Sequence, residues 1–192
     1  MQYLLNASVY LIDAVFSFAL YLMLLRFWMQ WVRADFRNQL GGFIITVTNP
    51  VVIPTRKVIP SIGTIDTATL FLAYLIALLK AVSLVLLKSN VEISALFLWI
   101  LVPAIGVVLQ SSIYLLMAAI FVNIVASWVA PHSYHPILMV ARSISDPIMA
   151  PARKLIPSIA GVDLSPILVF MFLNISLQLL VAPLLGPLRG FL

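Results

Sequence analysis

Two Arg-Lys pairs occupy equivalent places in two related stretches and are the strongest candidates for recognition chemistry. Residues 49–66 read NPVVIPTRKVIPSIGTID and residues 146–163 read DPIMAPARKLIPSIAGVD. The stretches align without a gap at an offset of 97 positions and match at 9 of 18 positions. These stretches are named here the first motif, which contains Arg56 and Lys57, and the second motif, which contains Arg153 and Lys154.

Two interpretations of the basic pairs stay open from the sequence. Arginine and lysine bind phosphate and carboxylate groups, so the pairs could recognise an anionic lipid or an acidic segment of a partner protein. Alternatively, each motif is a turn that docks on its own helix bundle, and its charges only follow the bias of positive residues toward cytoplasmic loops.

Asp13 and Lys80 are the other candidates, because each interrupts an apolar run. Ionisable residues within a membrane are costly and are functional hypotheses by default. At similar depth in antiparallel neighbouring helices the two could pair, either to hold the helices together or as part of an ion or proton pathway. Arg26 lies near the end of its apolar run, from which its side chain can reach the interface.

Evidence for catalysis or metal binding is poor. The two histidines, His132 and His135, have a spacing that can hold a metal, but no cysteine or glutamate accompanies them. The chain has no cysteine at all, which excludes disulfides and thiolate chemistry. No glycine-rich phosphate loop, nucleophile elbow or HExxH motif occurs. We predict no enzyme activity, no metal and no cofactor.

The amino-acid composition indicates whether the helices that carry these residues lie in water or in a lipid membrane. Hydrophobic residues make up 64% and charged residues 9% of the 192, whereas soluble domains have roughly 45–50% apolar and about 25% charged residues. The chain is therefore expected to be an integral membrane protein. Its net charge of +5 indicates cytoplasmic loops and anionic phospholipid headgroups rather than nucleic acid.

An all-α, polytopic membrane fold follows, with two tandem two-helix repeats at 1–90 and 91–192. About 20 apolar residues cross the hydrocarbon core, and four stretches qualify: Val9–Val32, Ala68–Leu87, Gly106–Val129 and Leu164–Ala182. The piece Ile93–Ile105 is too short to span alone. It could be interfacial, re-entrant or an extension of the third helix.

The count of basic residues predicts the orientation. Seven lie in or beside the two motif loops and two on the opposite side: Arg33, Arg37, Arg56, Lys57, Arg142, Arg153 and Lys154, against Lys88 and Arg189. This asymmetry places both loops in the cytoplasm and both termini outside. If Ile93–Ile105 were a true span, the two copies would instead be inverted, as in several transporters.

Ten residues recur at equivalent places and are expected to shape the motifs: Asn49, Pro50, Pro54, Pro60 and Asp66, with Asp146, Pro147, Pro151, Pro157 and Asp163. The Asn-Pro and Asp-Pro steps are typical of helix starts. A second proline four residues later limits such a helix to about one turn. The closing aspartate of each motif is expected to cap the next span. Each motif is thus predicted to be a proline-rich basic loop at the interface.

The order of these features resembles the YggT family of bacterial membrane proteins and its single-copy YlmG relatives. The resemblance rests on an apolar helix ending near Trp31 or Trp128, the Asn-Pro or Asp-Pro step, the Arg-Lys pair and the closing aspartate. It implies links to osmotic tolerance, potassium homeostasis and membrane-complex biogenesis. It supplies no catalytic residues.

Two functional hypotheses result. The first is a non-enzymatic inner-membrane scaffold or assembly factor, whose basic cytoplasmic face contacts anionic phospholipids or other membrane proteins, and which could form oligomers. The second is a small transporter or channel component in ion or osmotic homeostasis. The second predicts a polar cavity lined by residues drawn from one set: Asp13, Lys80, Gln110, Asn123, Asn174 and Gln178.

Overall fold

Helices make up most of the part of the chain that the computed structural model describes, which is residues 2–88, 93–129, 133–155 and 163–188. The elements are α1 (Gln2–Trp31), α2 (Gln39–Val58), α3 (Thr67–Lys88), α4 (Ile93–Val129), α5 (Pro136–Leu155), α6 (Ser165–Ser176), a π-helical turn (Leu177–Val181), α7 (Ala182–Leu185) and a 3₁₀ turn (Gly186–Leu188).

Four helical stretches are long and apolar enough to cross a membrane. They are Asn6–Trp31, Thr67–Lys88, Trp99–Val129 and Ser165–Leu188. The first three lie in α1, α3 and α4, and the fourth comprises α6 and the short elements that continue it. The all-α polytopic fold predicted from the sequence is confirmed, and the chain is a multi-pass membrane protein.

The segment Ile93–Ile105 is the first part of α4, so the helical extension is the alternative that the structure adopts. α4 continues for 37 residues, about 55 Å at the rise of an α-helix, which exceeds the roughly 30 Å hydrocarbon core. The expected start of this span at Gly106 was wrong. Pro103 lies inside this helix and does not end it. Proline is tolerated within membrane helices when neighbouring helices satisfy the backbone groups that it frees.

The predicted helix start at Asn49-Pro50 is also wrong, because both residues lie in the second half of α2. The helix begins instead at Gln39, after the N-cap Asn38, whose Oδ1 accepts a hydrogen bond of 2.8 Å from the Gly41 N–H. Pro50 and Pro54 are four residues apart and share the exposed side of the helix. The opposite side is buried, including Ile44, Thr48 and Val52, and this burial offsets the backbone hydrogen bonds that the prolines remove.

The second motif shows the same correction. Asp146 and Pro147 lie within α5, again with both prolines exposed and the opposite side buried through Ile144 and Met149. The segments expected to be short loops are therefore 20-residue amphipathic helices. Pro157, in the same motif, lies outside the described residues.

Both amphipathic helices lie at one end of the bundle, where α2 contacts α5. The two copies thus have the same orientation. The inverted arrangement would place α2 and α5 at opposite ends, and the structure does not adopt it.

Two apolar clusters form the core. The first joins α1, α3, α4 and the end of the fourth span, with Leu24, Ala77, Ile100 and Leu185 among its buried members. The second joins α4, α5 and α6 with the end of α1 and with α2. α1 packs along α3, and α4 packs along the fourth span, which comprises α6 and the short elements that continue it. One side of α6 is exposed, including Ile167, Met171 and Asn174.

Candidate functional site

Arg56, in the last turn of α2, ties three helices together. Its Nε donates to Asp66 Oδ1 at 3.3 Å, its Nη2 contacts Asp66 Oδ2, and Nη2 also donates to Gln30 Oε1 at 2.8 Å. The Ile62–Ile65 turn reverses the chain between α2 and α3. It includes Gly63 in the left-handed region at φ 59°, and so returns Asp66 to Arg56.

Asp66 is a fully buried carboxylate at the N-terminus of α3. Its backbone carbonyl accepts from Leu70, and its side chain accepts from the Thr69 N–H at 3.4 Å and from the Thr69 hydroxyl. Burial by itself raises the pKa of Asp66, but the hydrogen bonds from Arg56 and Thr69 outweigh it and hold the pKa below its ordinary value. Asp66 is therefore a charged cap, as its position in the sequence suggests.

The second copy repeats this tie in a more exposed form. Arg153 donates from Nε to Asp163 Oδ2 at 3.0 Å and from Nη1 to Asp146 Oδ1 at 3.3 Å. Burial by itself lowers the pKa of Arg153. The two carboxylates outweigh burial and raise this pKa above its ordinary value. Burial also raises the pKa of Asp163, but hydrogen bonds from Ser165 and Arg153 lower it below its ordinary value.

Asp163 lies one residue before the N-cap position of α6, which Leu164 occupies. It still accepts a hydrogen bond of 2.9 Å from the Ser165 N–H. The carboxylate thus satisfies a free donor at the helix start, although not from the position that the sequence suggested.

A second polar tie, not predicted from the sequence, joins each preceding span to its amphipathic helix. Arg26 Nη1 in α1 donates to Thr48 Oγ1 at 2.5 Å and to Asn49 Oδ1 at 2.9 Å. In the second copy, Asn123 Nδ2 donates to Ser145 Oγ at 2.8 Å. Positions 26 and 123, and positions 48 and 145, are equivalent at the 97-residue offset. The sequence feature that could have predicted this contact is a hydroxyl residue immediately before each Asn-Pro or Asp-Pro step.

The two lysines of the basic pairs have a different environment from the arginines. Lys57 and Lys154 are exposed, and within the described parts of the chain they make no hydrogen bond or ion pair. Of the four basic residues grouped by sequence, the arginines therefore hold the fold together and the lysines point to the surroundings.

Asp13 and Lys80 come together in the structure. Lys80 Nζ lies 2.9 Å from Asp13 Oδ1 and donates to Ser17 Oγ at 2.8 Å. The lysine side chain is largely buried between α1 and α3. The equivalent second-copy positions hold Gln110 and Leu177, so this tie belongs to the first copy alone.

Of the two histidines, His132 lies outside the described residues. His135 is exposed and precedes α5, where its Nδ1 accepts from the Ile137 N–H at 3.4 Å. Among the described residues, no group of three or more histidine, cysteine, aspartate or glutamate side chains is placed to hold a metal ion.

Two large cavities are lined almost entirely by apolar side chains. One of about 330 Å³ lies between α1, α4 and the amphipathic helices, and includes Phe18, Tyr21 and Ile144. The other, of about 860 Å³, lies between the end of α1, α5 and α6, and includes Trp28, Trp31, Pro147, Pro151 and Leu155. The six polar residues expected to line a transport pathway line neither cavity.

Together, the four spans, the two amphipathic helices at one end and the repeated ties define a class. The chain is a polytopic membrane protein built from two tandem units of span, amphipathic helix and span. It belongs to the CCB3/YggT family, which matches residues 5–87 and again residues 102–185. The resemblance inferred from the motifs is thereby confirmed.

Bacterial relatives match along nearly the whole chain. An uncharacterized protein of Vibrio alginolyticus is 37% identical over 188 residues, covering 95% of this chain and 97% of the relative. An uncharacterized protein of Pseudomonas aeruginosa is 36% identical over 185 residues, covering 96% and 93%. The uncharacterized protein YggT of Escherichia coli strain K12 is 32% identical over 170 residues, covering 88% and 87%. No solved structure matches the chain.

Proposed function

We propose that the protein is a non-enzymatic scaffold of the bacterial inner membrane that binds anionic phospholipids at its cytoplasmic face. One observation carries the proposal. In both copies the arginine of the Arg-Lys pair is held by a carboxylate, whereas Lys57 and Lys154 are exposed at the ends of amphipathic helices. The repeated element that faces outward is thus a lysine beside the membrane interface.

Lysine at an anionic membrane surface contributes roughly 1 kcal/mol per charge. α2 and α5 have the amphipathic character of helices that lie in the interface, with one side buried against the bundle. In this proposal both helices lie at the cytoplasmic leaflet and both termini are outside, following the excess of basic residues near the motifs.

The larger cavity supports lipid contact. Pro147 and Pro151 line it, and Lys154 follows them at the helical spacings of seven and three residues. Lys154 therefore lies at the edge of the helix side that borders the cavity. An acyl chain in the cavity would place a phosphate near this lysine. As a scaffold, the protein would bring such lipids to partner membrane proteins, and growth under osmotic stress is the cellular readout.

Brominated lipids test the proposal, because bromine on acyl chains quenches nearby tryptophan and Trp28 and Trp31 line the cavity. The purified protein is placed in phosphatidylcholine vesicles that contain brominated phosphatidylglycerol or, in parallel, brominated phosphatidylcholine. We expect stronger quenching by the anionic lipid. Neutralising Lys57→Gln and Lys154→Gln together should reduce that preference by about fivefold per lysine.

Lys88→Gln is the matched control. It removes one positive charge from the last turn of α3, at the end of that helix away from α2 and Lys57. It should leave the lipid preference unchanged. Equal quenching by both lipids in the wild type, or an undiminished preference in the double variant, contradicts lipid binding by these lysines. Cross-linking of Lys57 and Lys154 to a membrane protein without any lipid preference would favour a protein partner instead.

A further inference from the structure

Two primary amides lie on the exposed side of the fourth span, near the middle of its length. Asn174 and Gln178 are the tenth and fourteenth of the 24 residues in Ser165–Leu188, and both are exposed. Neither side chain is long enough to reach the interface from that depth, which is more than two helical turns from either end. The surrounding medium is therefore hydrocarbon unless another helix covers them.

An amide in hydrocarbon needs hydrogen-bond partners. Transfer of such a group from water to an alkane without compensation costs several kcal/mol. Asn174 Nδ2 donates to the Phe170 carbonyl at 3.0 Å, which leaves its oxygen free to accept. The Gln178 side chain makes no hydrogen bond within the described parts of the chain. It also lies in the π-helical turn Leu177–Val181, a rare distortion that is frequent at functional sites.

The first copy supplies an internal comparison for this face. The positions equivalent to Asn174 and Gln178 are Ala77 and Ala81 of α3. Both alanines are buried in the cluster that joins α1, α3 and α4, and nearby Tyr74 donates from its hydroxyl to the Leu101 carbonyl of α4. The same face is covered by the chain's own helices in one copy and is open in the other.

The exposed face has the spacing of a helix–helix seam. Ile167, Met171, Asn174 and Gln178 follow one another at intervals of four, three and four residues, and all four are exposed. Such a heptad interval is typical of left-handed packing between helices in soluble and membrane proteins. Asparagine and glutamine within such a seam bond across to the neighbouring helix.

We propose that this face of α6 is a dimer interface and that its occupant is the same face of a second copy of the chain. A primary amide both donates and accepts, so Asn174 and Gln178 are complementary to themselves across a two-fold axis. This inference concerns the lateral surface within the membrane. The amides Asn174 and Gln178 line neither cavity, whereas Met171 borders both the seam and the larger cavity proposed for an acyl chain.

Single-cysteine cross-linking in native membranes tests the geometry. The chain contains no cysteine, so each introduced thiol is the only one. Ile167→Cys and Met171→Cys, on the seam, should form disulfide dimers on mild oxidation. Phe172→Cys, which is exposed on another side of the same helix at similar depth, should not. Cross-links that are equal at all three positions, or absent from the seam, overturn the proposal.

Substitution of the amides tests the chemistry. Energy transfer between labelled copies in vesicles, followed as lipid is added, measures self-association. Asn174→Leu combined with Gln178→Leu should weaken it by at least about tenfold, and the amide-retaining Gln178→Asn should weaken it less. Asn6→Leu, which removes an exposed amide from α1, is the control. Association unchanged in the double variant overturns the proposal, as does cross-linking only to a different protein.

Discussion

Asp66 at the start of α3 receives the guanidinium of Arg56 from the end of α2, and the pair is ten residues apart in the sequence. The equivalent Arg153 and Asp163 repeat this spacing in the second copy. The difference is burial: the Asp66 side chain is 0% exposed, whereas that of Asp163 is 40% exposed. The duplicated pair thus provides its own comparison of a buried and an exposed version of one interaction.

Asp66→Ala should destabilise the protein far more than Asp163→Ala. Removing the carboxylate leaves Arg56 uncompensated, which costs about 3–5 kcal/mol for a buried pair. Because a third of the Arg56 side chain is exposed, we expect about 2–3 kcal/mol for Asp66→Ala and at most about 1 kcal/mol for Asp163→Ala. Unfolding in detergent, followed by circular dichroism, measures both. Similar losses for the two variants would show that burial does not set the strength of this tie.

The stability of the wild type should fall under acid because of the same carboxylate. The pKa of Asp66 is lower in the folded protein than its ordinary value of 3.8, so its contribution is present above that value and is lost as the pH falls through the folded pKa. The unfolding midpoints of wild type and Asp66→Asn should therefore approach one another below about pH 4. A constant difference between pH 7 and pH 3 would contradict this assignment.

The spans could be predicted from the sequence, but the helices between them could not. Twenty or more apolar residues identify a membrane helix from composition alone. For α2 and α5, the local rule that proline ends a helix gave the wrong result. Pro50 and Pro54 are tolerated because both lie on the exposed side, while the buried side of the same helix packs on the bundle. Which side faces the bundle is a tertiary property that no local rule contains.

The site was predicted in part. Grouping Arg56 with Lys57 as one basic patch overlooked Asp66, because a loop gives no reason for residues ten apart to meet. Once α2 extends to Val58 and a tight turn follows, that spacing returns the chain to the arginine. The tie between Asn123 and Ser145 was within reach, because both residues have polar counterparts 97 positions earlier.

Thr48→Val should be more costly than Ser145→Ala. The first removes one of the two acceptors of a buried charged donor, Arg26. A hydrogen bond to a charged group is worth about 1.5–3 kcal/mol, whereas the second variant removes one neutral hydrogen bond worth about 1 kcal/mol. Thr46→Val is the control, since Thr46 is exposed and bonds only within its own helix. Equal unfolding midpoints for Thr48→Val and Thr46→Val would refute a stabilising role for the Arg26 tie.

Two adjacent glycines of α2 should respond oppositely to alanine. A Cβ on Gly41 would lie 2.6 Å from the Phe36 Cα, whereas one on Gly42 would meet nothing within 4 Å. Gly41→Ala therefore forces the α1–α2 connection away from the helix and should be destabilising by more than about 1 kcal/mol. Gly42→Ala should be neutral or stabilising by up to about 1 kcal/mol, because alanine favours the helix. Thermal unfolding of the two variants compares them, and equal destabilisation would contradict the open space around Gly42.

The orientation inferred from the basic residues can be tested with thiol reagents in intact cells. Gln39→Cys and His135→Cys are exposed positions at the starts of α2 and α5, and these helices contact each other at one end of the bundle. Asn6→Cys lies toward the other end of α1. A reagent that cannot cross the inner membrane should label Asn6→Cys alone, and all three should react after the membrane is made permeable. Labelling of Gln39→Cys and His135→Cys in intact cells would place Lys57 and Lys154 on the outer side of the membrane. These lysines could then not bind lipids of the cytoplasmic leaflet, which would contradict the proposed function. Labelling of only one of these two would contradict the shared end of α2 and α5.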